Sequence, residues 1–175
     1  YFDDKTSLTL SGFYKGGPEY SNLVNIVNDI SNQSISSSNK RLRDENEDDT
    51  SFEYALDFYK DFEKEGQTLS ARISYEEGED DGIEDIEDFA TFPILSESTF
   101  EKVTNLDSQN RLLAQFDYVY PFDKNTELEF GYRGNFVERE TDYDVSFLEN
   151  NNFISDLGLS NIFNYKESVN SIYTQ

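Results

Sequence analysis

The chain carries many carboxylates but neither histidine nor cysteine. Its 175 residues include 37 Asp and Glu against 14 Lys and Arg. Without His and Cys, the usual general base, the thiol nucleophile and the imidazole metal ligand are all absent. Carboxylate pairs can transfer protons, but no pair stands out among so many acids. The sequence therefore predicts no enzyme, no catalytic residue and no cofactor.

One acidic stretch has the spacing of a calcium-binding loop. Glu77, Glu79, Asp81, Gly82 and Asp88 fall at positions one, three, five, six and twelve of that loop. Three of the four acidic positions carry the wrong acid, and the flanking patterns are strand and loop where the motif needs helices. The stretch predicts no EF-hand. It leaves Glu77, Glu79, Asp81 and Asp88 as candidates for adventitious binding of a divalent cation.

The net charge of -23 comes largely from two acidic blocks, at residues 44–49 and 76–88. Like charges at this density repel one another and favour solvated, mobile segments, so both blocks are expected to be exposed loops. A phosphate backbone needs a basic surface. The same charge balance therefore predicts that nucleic acid is not a partner.

Strands are the elements that must position these side chains. Apolar and polar residues alternate over residues 52–59, 68–75, 111–120 and 127–136, and successive side chains of a strand point to opposite faces. About ten such residues cross the apolar band of an outer membrane as a tilted strand. Alternation alone also fits a soluble β-sandwich, in which the apolar face would cover a core.

Tyrosine and the lengths of the connections favour the membrane. The chain has 12 Tyr and 15 Phe, and several tyrosines lie near strand ends, where amphipathic rings suit the membrane interface. Short turns near 62–67 and 121–125 alternate with long polar segments at about 15–49, 76–110 and 138–161. Outer-membrane barrels have short periplasmic turns and long extracellular loops. We therefore expect an all-β, antiparallel up-and-down transmembrane β-barrel, seen here as an internal fragment of about six membrane strands within one domain over 1–175.

The alternation assigns each strand residue to one of two faces. Charged residues are expected to face the lumen, where they either offset one another across strands or contact a substrate. This lumen-facing set is Glu53, Asp57, Arg72, Arg111, Asp117, Glu127, Glu129 and Arg133. The residues expected to face lipid are Phe52, Tyr54, Leu56, Phe58, Leu69, Ile73, Phe116, Tyr118, Leu128, Phe130, Tyr132 and Phe136.

The first long polar segment contains a weaker strand pattern of its own. Residues 23–30 and 34–42 are mildly strand-like and are separated by Ser31, Asn32 and Gln33. This arrangement predicts a hairpin that extends above the membrane. The membrane strands on either side of the segment are expected at 6–14 and 50–61.

Several short sequences resemble the barrel region of TonB-dependent receptors of the Bacteroidota type. They include Asp-Tyr-x-x-Pro-Phe at 117–122, Gly-Tyr-Arg-Gly at 131–134 and the stretch 159–167. The resemblance extends to 52–75. It implies a barrel of about 22 strands in the bacterial outer membrane, closed around an N-terminal plug that is not visible in this sequence. It also implies that TonB supplies energy to import a nutrient captured by the extracellular loops.

Two other functions remain open from the sequence. A barrel of similar architecture can serve assembly or secretion, with loops that contact other proteins. A soluble or surface-attached β-domain can bind glycan or protein through its aromatic residues. No motif in the long polar segments identifies the ligand of any of these.

Overall fold

A computed structural model describes residues 4–175 as one antiparallel sheet. Within these residues there are seven strands and no helix. The strands are β1 Thr6–Ser31, β2 Ser34–Asp61, β3 Thr68–Phe92, β4 Thr99–Asp123, β5 Thr126–Glu149, β6 Asn152–Ser155 and β7 Asn161–Thr174. The all-β, up-and-down prediction is confirmed. The described residues include no helix that is long and apolar enough to cross a membrane.

Neighbouring strands of the sheet follow chain order from β1 to β6, and β7 also pairs with β5. β6 pairs with Ser146–Glu149 of β5, and β7 pairs with Phe130–Tyr143 of the same strand. β6 and β7 therefore lie one after the other along the same edge of β5. The sheet is open over the described residues, with β1 at one edge and β6 and β7 at the other.

Two-residue turns close the hairpins at one end of the sheet. Asn32 and Gln33 have φ of 50° and 63°, and Asn150 and Asn151 have φ of 49° and 66°. Successive left-handed residues give the turn that matches strand twist, and Asn tolerates this conformation better than most residues. The hairpin predicted around Asn32 is confirmed. We call this end of the sheet distal.

At the opposite, basal end the chain reverses at 62–67 and at Lys124 and Asn125, where the sequence predicted short turns. Gly66 has a φ of 81°, which a residue with a Cβ rarely adopts. The backbone N–H of Asn125 donates to a carboxylate oxygen of Asp123 at 2.9 Å. The assignment of this end to the periplasm stays a prediction.

The segments at 15–49, 76–110 and 138–161 differ from the expected loops. Most of their residues continue the strands in register, so that β2 pairs with β3 from Ser38 to Asp61 and with β1 over nearly all of its length. The irregular connections are confined to 93–98 and 156–160. The expectation that the acidic blocks at 44–49 and 76–88 form loops is therefore wrong, because both lie in strands. Backbone ladders and basic side chains from other strands offset the repulsion within each acidic block.

The distal half of the sheet contains the one cluster of buried apolar residues found within 4–175. Ile86, Val103 and Val145 are 4%, 9% and 4% exposed, and Phe147 packs against them. Two arginines lie in the same region. Arg43 forms an ion pair with Glu84, and Arg41 contacts Asp88 at 3.1 Å and Glu101 at 3.3 Å. A mixed apolar and ionic layer therefore holds the distal strands together.

Candidate functional site

The strand register separates the predicted lipid-facing and lumen-facing residues completely. In an antiparallel pair, residues directly opposite each other share a face. Leu56 pairs with Ile73, and Phe116 pairs with both Ala71 and Tyr132, so the apolar side chains form one continuous surface. We call it the apolar face, and the opposite surface the charged face. All twelve predicted lipid-facing residues lie on the first and all eight predicted lumen-facing residues on the second.

The apolar side chains are uncovered in the structure. Leu56 and Ile73 are 41% and 55% exposed, and neither Phe130 nor Tyr54 is buried. A soluble single-layer sheet would leave this surface in water, whereas acyl chains would cover it in a bilayer. The assignments of the two faces to lipid and lumen stay predictions, and the exposure of the apolar face supports them.

Ion pairs and hydrogen bonds connect the charged face at the level of the apolar residues. Arg72 lies opposite Asp57, and its guanidinium contacts both carboxylate oxygens of Asp57 at 3.1 and 3.2 Å and Glu53 at 3.2 Å. Arg111 donates to Asn135 at 2.9 Å. Charge compensation is therefore observed for Arg72 with Asp57 and Glu53, whereas the partner of Arg111 is a neutral amide.

The other predicted lumen-facing residues have different partners. Asp117 accepts hydrogen bonds from Gln115 at 2.8 Å and from the hydroxyl of Tyr173. Glu127, Glu129 and Arg133 lie on the charged face by register, and no ion pair involves them within 4–175. Side-chain hydrogen bonds or ion pairs thus involve five of the eight residues, namely Glu53, Asp57, Arg72, Arg111 and Asp117.

A row of charged side chains crosses the charged face in the distal half. Asp49, Asp80 and Asp107 lie directly opposite one another on β2, β3 and β4. Lys15 binds Asp49 at 2.9 Å at one end, and Nε of Arg139 donates to Asp107 at 2.9 Å at the other. The central carboxylate therefore has a like charge on each side, while the two outer carboxylates each have a cation.

Asp80 is the least compensated member of this row. Its Oδ1 is inaccessible to water and has no hydrogen-bond partner within 4–175. The charge of Asp80 raises the pKa of Glu47 above its ordinary value of 4.5, and a hydrogen bond between the two carboxyl groups, burial, Glu45 and Glu19 raise it further. Glu47 therefore keeps its proton to a higher pH than an isolated glutamate does.

A concavity of about 440 Å³ lies beside this row. Almost all of its lining side chains belong to the charged face, and they come from five strands. Small residues at Ser51 and Gly78 leave the space open. The remaining lining residues are Phe13, Lys15, Asp49, Glu53, Glu76, Glu79, Asp80, Asp107, Gln109 and Arg139.

The four candidate cation ligands are not brought together. Glu77, Glu79 and Asp81 lie on the same side of β3 as the apolar face, whereas Asp88 lies on the charged face and binds Arg41. Over residues 4–175 no group of acidic side chains has a geometry that could hold a metal ion. The sequence spacing of a calcium loop does not gather these ligands, because a strand points alternate residues to opposite sides.

Sequence reasoning missed most of the distal concavity. The sequence places Asp49 and Asp80 only within acidic blocks, and it gives no reason to single out Phe13, Lys15, Asp107 or Arg139. The period-two alternation could have placed Lys15 and Arg139 on the charged face if the strands had been extended past Tyr14 and Val137. Their pairing with distant acids depends on register, which no local pattern gives.

Comparison with known families agrees with this architecture. A model of the outer membrane protein beta-barrel family matches residues 60–175, which is more than half of the chain. The chain belongs to the outer membrane protein β-barrel family. A search of curated proteins finds no match.

Family membership fixes the location of the chain and removes one alternative. Proteins of an outer membrane β-barrel family reside in the bacterial outer membrane, so this one does too. A soluble β-domain that hides its apolar face in a core does not fit this family. The open antiparallel sheet is thus part of the barrel wall of an outer membrane β-barrel protein.

Proposed function

We propose that this sheet is part of the barrel of a TonB-dependent outer-membrane receptor, which binds a nutrient near its distal strands and imports it. The observation that carries the proposal is the concavity of about 440 Å³ on the charged face. It lies beyond the apolar residues, at the entrance to the lumen if the charged face points inward. Its acids, cations and Phe13 suit a polar ligand.

The remaining parts of the proposal follow from the family resemblance. TonB and a plug domain are the partners expected to supply and gate transport, and outer-membrane lipid is expected to cover the apolar face. The barrel binds and moves its ligand without chemical conversion, in keeping with the lack of His and Cys. No cofactor is required.

Growth on defined nutrients tests the import function. A strain that lacks the gene is compared with a complemented strain, with an iron chelate, a glycan, a peptide or a vitamin as the limiting nutrient in turn. Import predicts a growth defect for one class, together with loss of uptake when TonB is deleted or a protonophore is added. Uptake that is independent of TonB would contradict the proposal.

Variants locate the ligand on the concavity. Arg139→Gln removes one wall of the concavity, and Glu140→Gln changes the neighbouring residue on the opposite side of β5. Reduced uptake is expected only for Arg139→Gln.

Normal nutrient uptake in the deletion strain, with a changed set of surface proteins, would indicate assembly or secretion instead.

A further inference from the structure

Two lysines at the basal end of the sheet lie over aromatic rings. Nζ of Lys64 is 4.1 Å from the ring centroid of Tyr120, and Nζ of Lys60 is 5.6 Å from that of Phe62. Phe62 in turn packs edge-on against Tyr118, with 6.2 Å between ring centroids. Lys60, Phe62, Tyr118, Tyr120 and Lys64 therefore form one continuous aromatic and basic surface.

The turn at 62–67 is fixed against the end of β4. The side chain of Gln67 donates to the hydroxyl of Tyr118 at 2.7 Å, and the backbone N–H of Phe62 donates to the carbonyl of Gln67 at 3.0 Å. Gly66 lies beside Pro121 in ordinary van der Waals contact. The backbone of the turn that carries Lys64 and follows Lys60 is thus held in place by packing.

Both lysines lack a carboxylate partner within residues 4–175, in a chain of net charge -23. Other lysines in the chain do bind acids, as Lys5 binds Glu63 at 2.9 Å and Lys166 binds Glu138 at 2.9 Å. A cation that is held over an aromatic ring but has no anion is available to one from outside. The surroundings of Lys60 and Lys64 therefore point to an anionic ligand.

This basic surface lies on the apolar face, at its basal border. Lys60 pairs with Leu69, and Tyr120 pairs with Leu128. Farther along the same face, Glu77 and Glu79 on β3 follow Tyr75, and Glu138 and Glu140 on β5 follow Phe136. The basal border thus presents two lysines without a carboxylate partner within 4–175, whereas the lysine that meets Glu138, Lys166, is paired with it.

We propose that Lys60 and Lys64 bind the phosphate groups of anionic phospholipid headgroups at the basal border of the apolar face. A lipid is favoured over free phosphate because its acyl chains would cover Leu69, Phe130 and the rings of this same face. Lysine at a membrane interface attracts anionic headgroups, and Tyr suits the same depth. The proposal does not depend on what the barrel transports.

Lipid binding can be counted by native mass spectrometry of the protein released from detergent micelles. The probe is phosphatidylglycerol, titrated against the wild-type protein and the double variant Lys60→Gln, Lys64→Gln. Each lysine near an anionic surface contributes roughly fivefold to binding, so the double variant should bind roughly thirtyfold more weakly. Equal binding by the two proteins would overturn the proposal.

Lys40→Gln is the matched control. Lys40 is on the same side of β2, and its Nζ is 5.9 Å from the ring centroid of Phe89, but it lies near the distal end. This variant should bind phosphatidylglycerol as the wild type does, and so should Lys60→Arg with Lys64→Arg. If Lys40→Gln weakened phosphatidylglycerol binding as much as the double variant does, the effect would be one of general charge, and the proposed site would be contradicted.

Two further measurements separate the possible outcomes. Displacement of phosphatidylglycerol by millimolar inorganic phosphate would show a site for free anions and contradict the lipid assignment. Gel mobility before and after boiling reports whether each variant is folded. If the double variant is not folded, Lys64→Gln alone serves, because Lys64 is exposed in the turn and its loss removes no buried contact.

Discussion

The ring of Tyr173 lies across Gly131 on the neighbouring strand. The two residues are directly opposite each other, and a Cβ placed on Gly131 would overlap the ring and hydroxyl of Tyr173. The hydroxyl of Tyr173 reaches past Gly131 and donates to Asp117 on β4. An aromatic ring that covers a cross-strand glycine stabilises a sheet by shielding the exposed backbone. Steric contact with Tyr173 thus explains why the first residue of Gly-Tyr-Arg-Gly is a glycine.

We expect Gly131→Ala to destabilise the barrel. The added methyl group displaces the Tyr173 ring and separates its hydroxyl from Asp117, and overpacking of this kind costs about 1–3 kcal/mol. The change is measured as the free energy of unfolding by guanidinium in detergent, with far-ultraviolet circular dichroism as the signal. Tyr173→Ala should remove most of the additional cost of the Gly131 substitution, because the methyl group then meets no ring.

Gly82→Ala is the control for this prediction. Gly82 is on the same charged face, and its nearest atoms, from Asn105, would lie 3.8 and 3.9 Å from an added Cβ. The backbone there is extended, so we expect a change within about 0.5 kcal/mol or a small gain. Equal losses at Gly131 and Gly82 would mean that glycine itself, and not its contact with Tyr173, determines stability.

A second prediction concerns the distal cluster. Ile86 is 4% exposed, and truncation to Ala leaves a gap against Val103 and Val145 that costs about 2–5 kcal/mol. Because the cluster is confined to the distal half, we expect faster amide hydrogen exchange in 82–90 and 99–107 and little change in 69–75. Exchange measured by mass spectrometry in detergent distinguishes this local loosening from global unfolding.

Ile83→Ala is the matched substitution for Ile86→Ala. Ile83 is three residues away on β3, points to the other side and is 42% exposed. Its truncation removes no buried contact, so exchange in the distal strands should stay close to that of the wild type. Similar acceleration by both variants would show that the cluster does not hold the distal strands together.

The faces of the sheet were predictable from the sequence because side-chain direction is a local property of a strand. Alternation placed Phe58 and Arg72 on opposite faces before any pairing was known, and the register agrees. The turns at 62–67 and around Asn32 were also local, because Gly66 and Asn32 mark left-handed backbone. Strand faces and turns, which depend on two or three neighbouring residues, were therefore predicted correctly.

The distal strands were not predictable in the same way. Arg43 and Glu84 are 41 positions apart in the sequence, and Ile86, Val103 and Val145 come from three strands. Read alone, the block 76–88 is a run of like charges that favours a solvated loop. Only the register shows which cations and apolar residues meet it, and the same long-range pairing assembles the concavity with Lys15 and Arg139.

A third prediction is that the distal strands are more stable in acid. Asp80 raises the pKa of Glu47 above 4.5, so the folded protein holds a proton that the unfolded chain releases near that pH. The stabilisation is complete below 4.5 and is lost as the pH rises through the raised value. The charges of Glu45 and Glu19 also oppose ionisation of Glu47, and the nearby cations Lys15 and Arg139 are bound to Asp49 and Asp107.

Protection factors of distal amides, corrected for the intrinsic pH dependence of exchange, test this effect. They should fall between acidic and neutral pH in the wild type and fall less in Glu47→Gln, in which the side chain stays neutral. Glu140→Gln, on the opposite side of the sheet, should retain the wild-type dependence. Identical pH profiles for wild type and Glu47→Gln would contradict a raised pKa of Glu47 in the folded protein.

The last prediction assigns the two faces in the membrane. The chain has no cysteine, so single variants can be labelled without background. Glu129 and Phe130 are adjacent on β5 and lie on the charged and apolar faces. In intact outer membranes, a charged maleimide should label Glu129→Cys at least about tenfold faster than Phe130→Cys, because a thiol in lipid forms little thiolate and meets no reagent.

After denaturation both variants should react alike. Faster labelling of the Phe130 variant would reverse the faces, and equal labelling in the membrane would mean that neither face is covered by lipid.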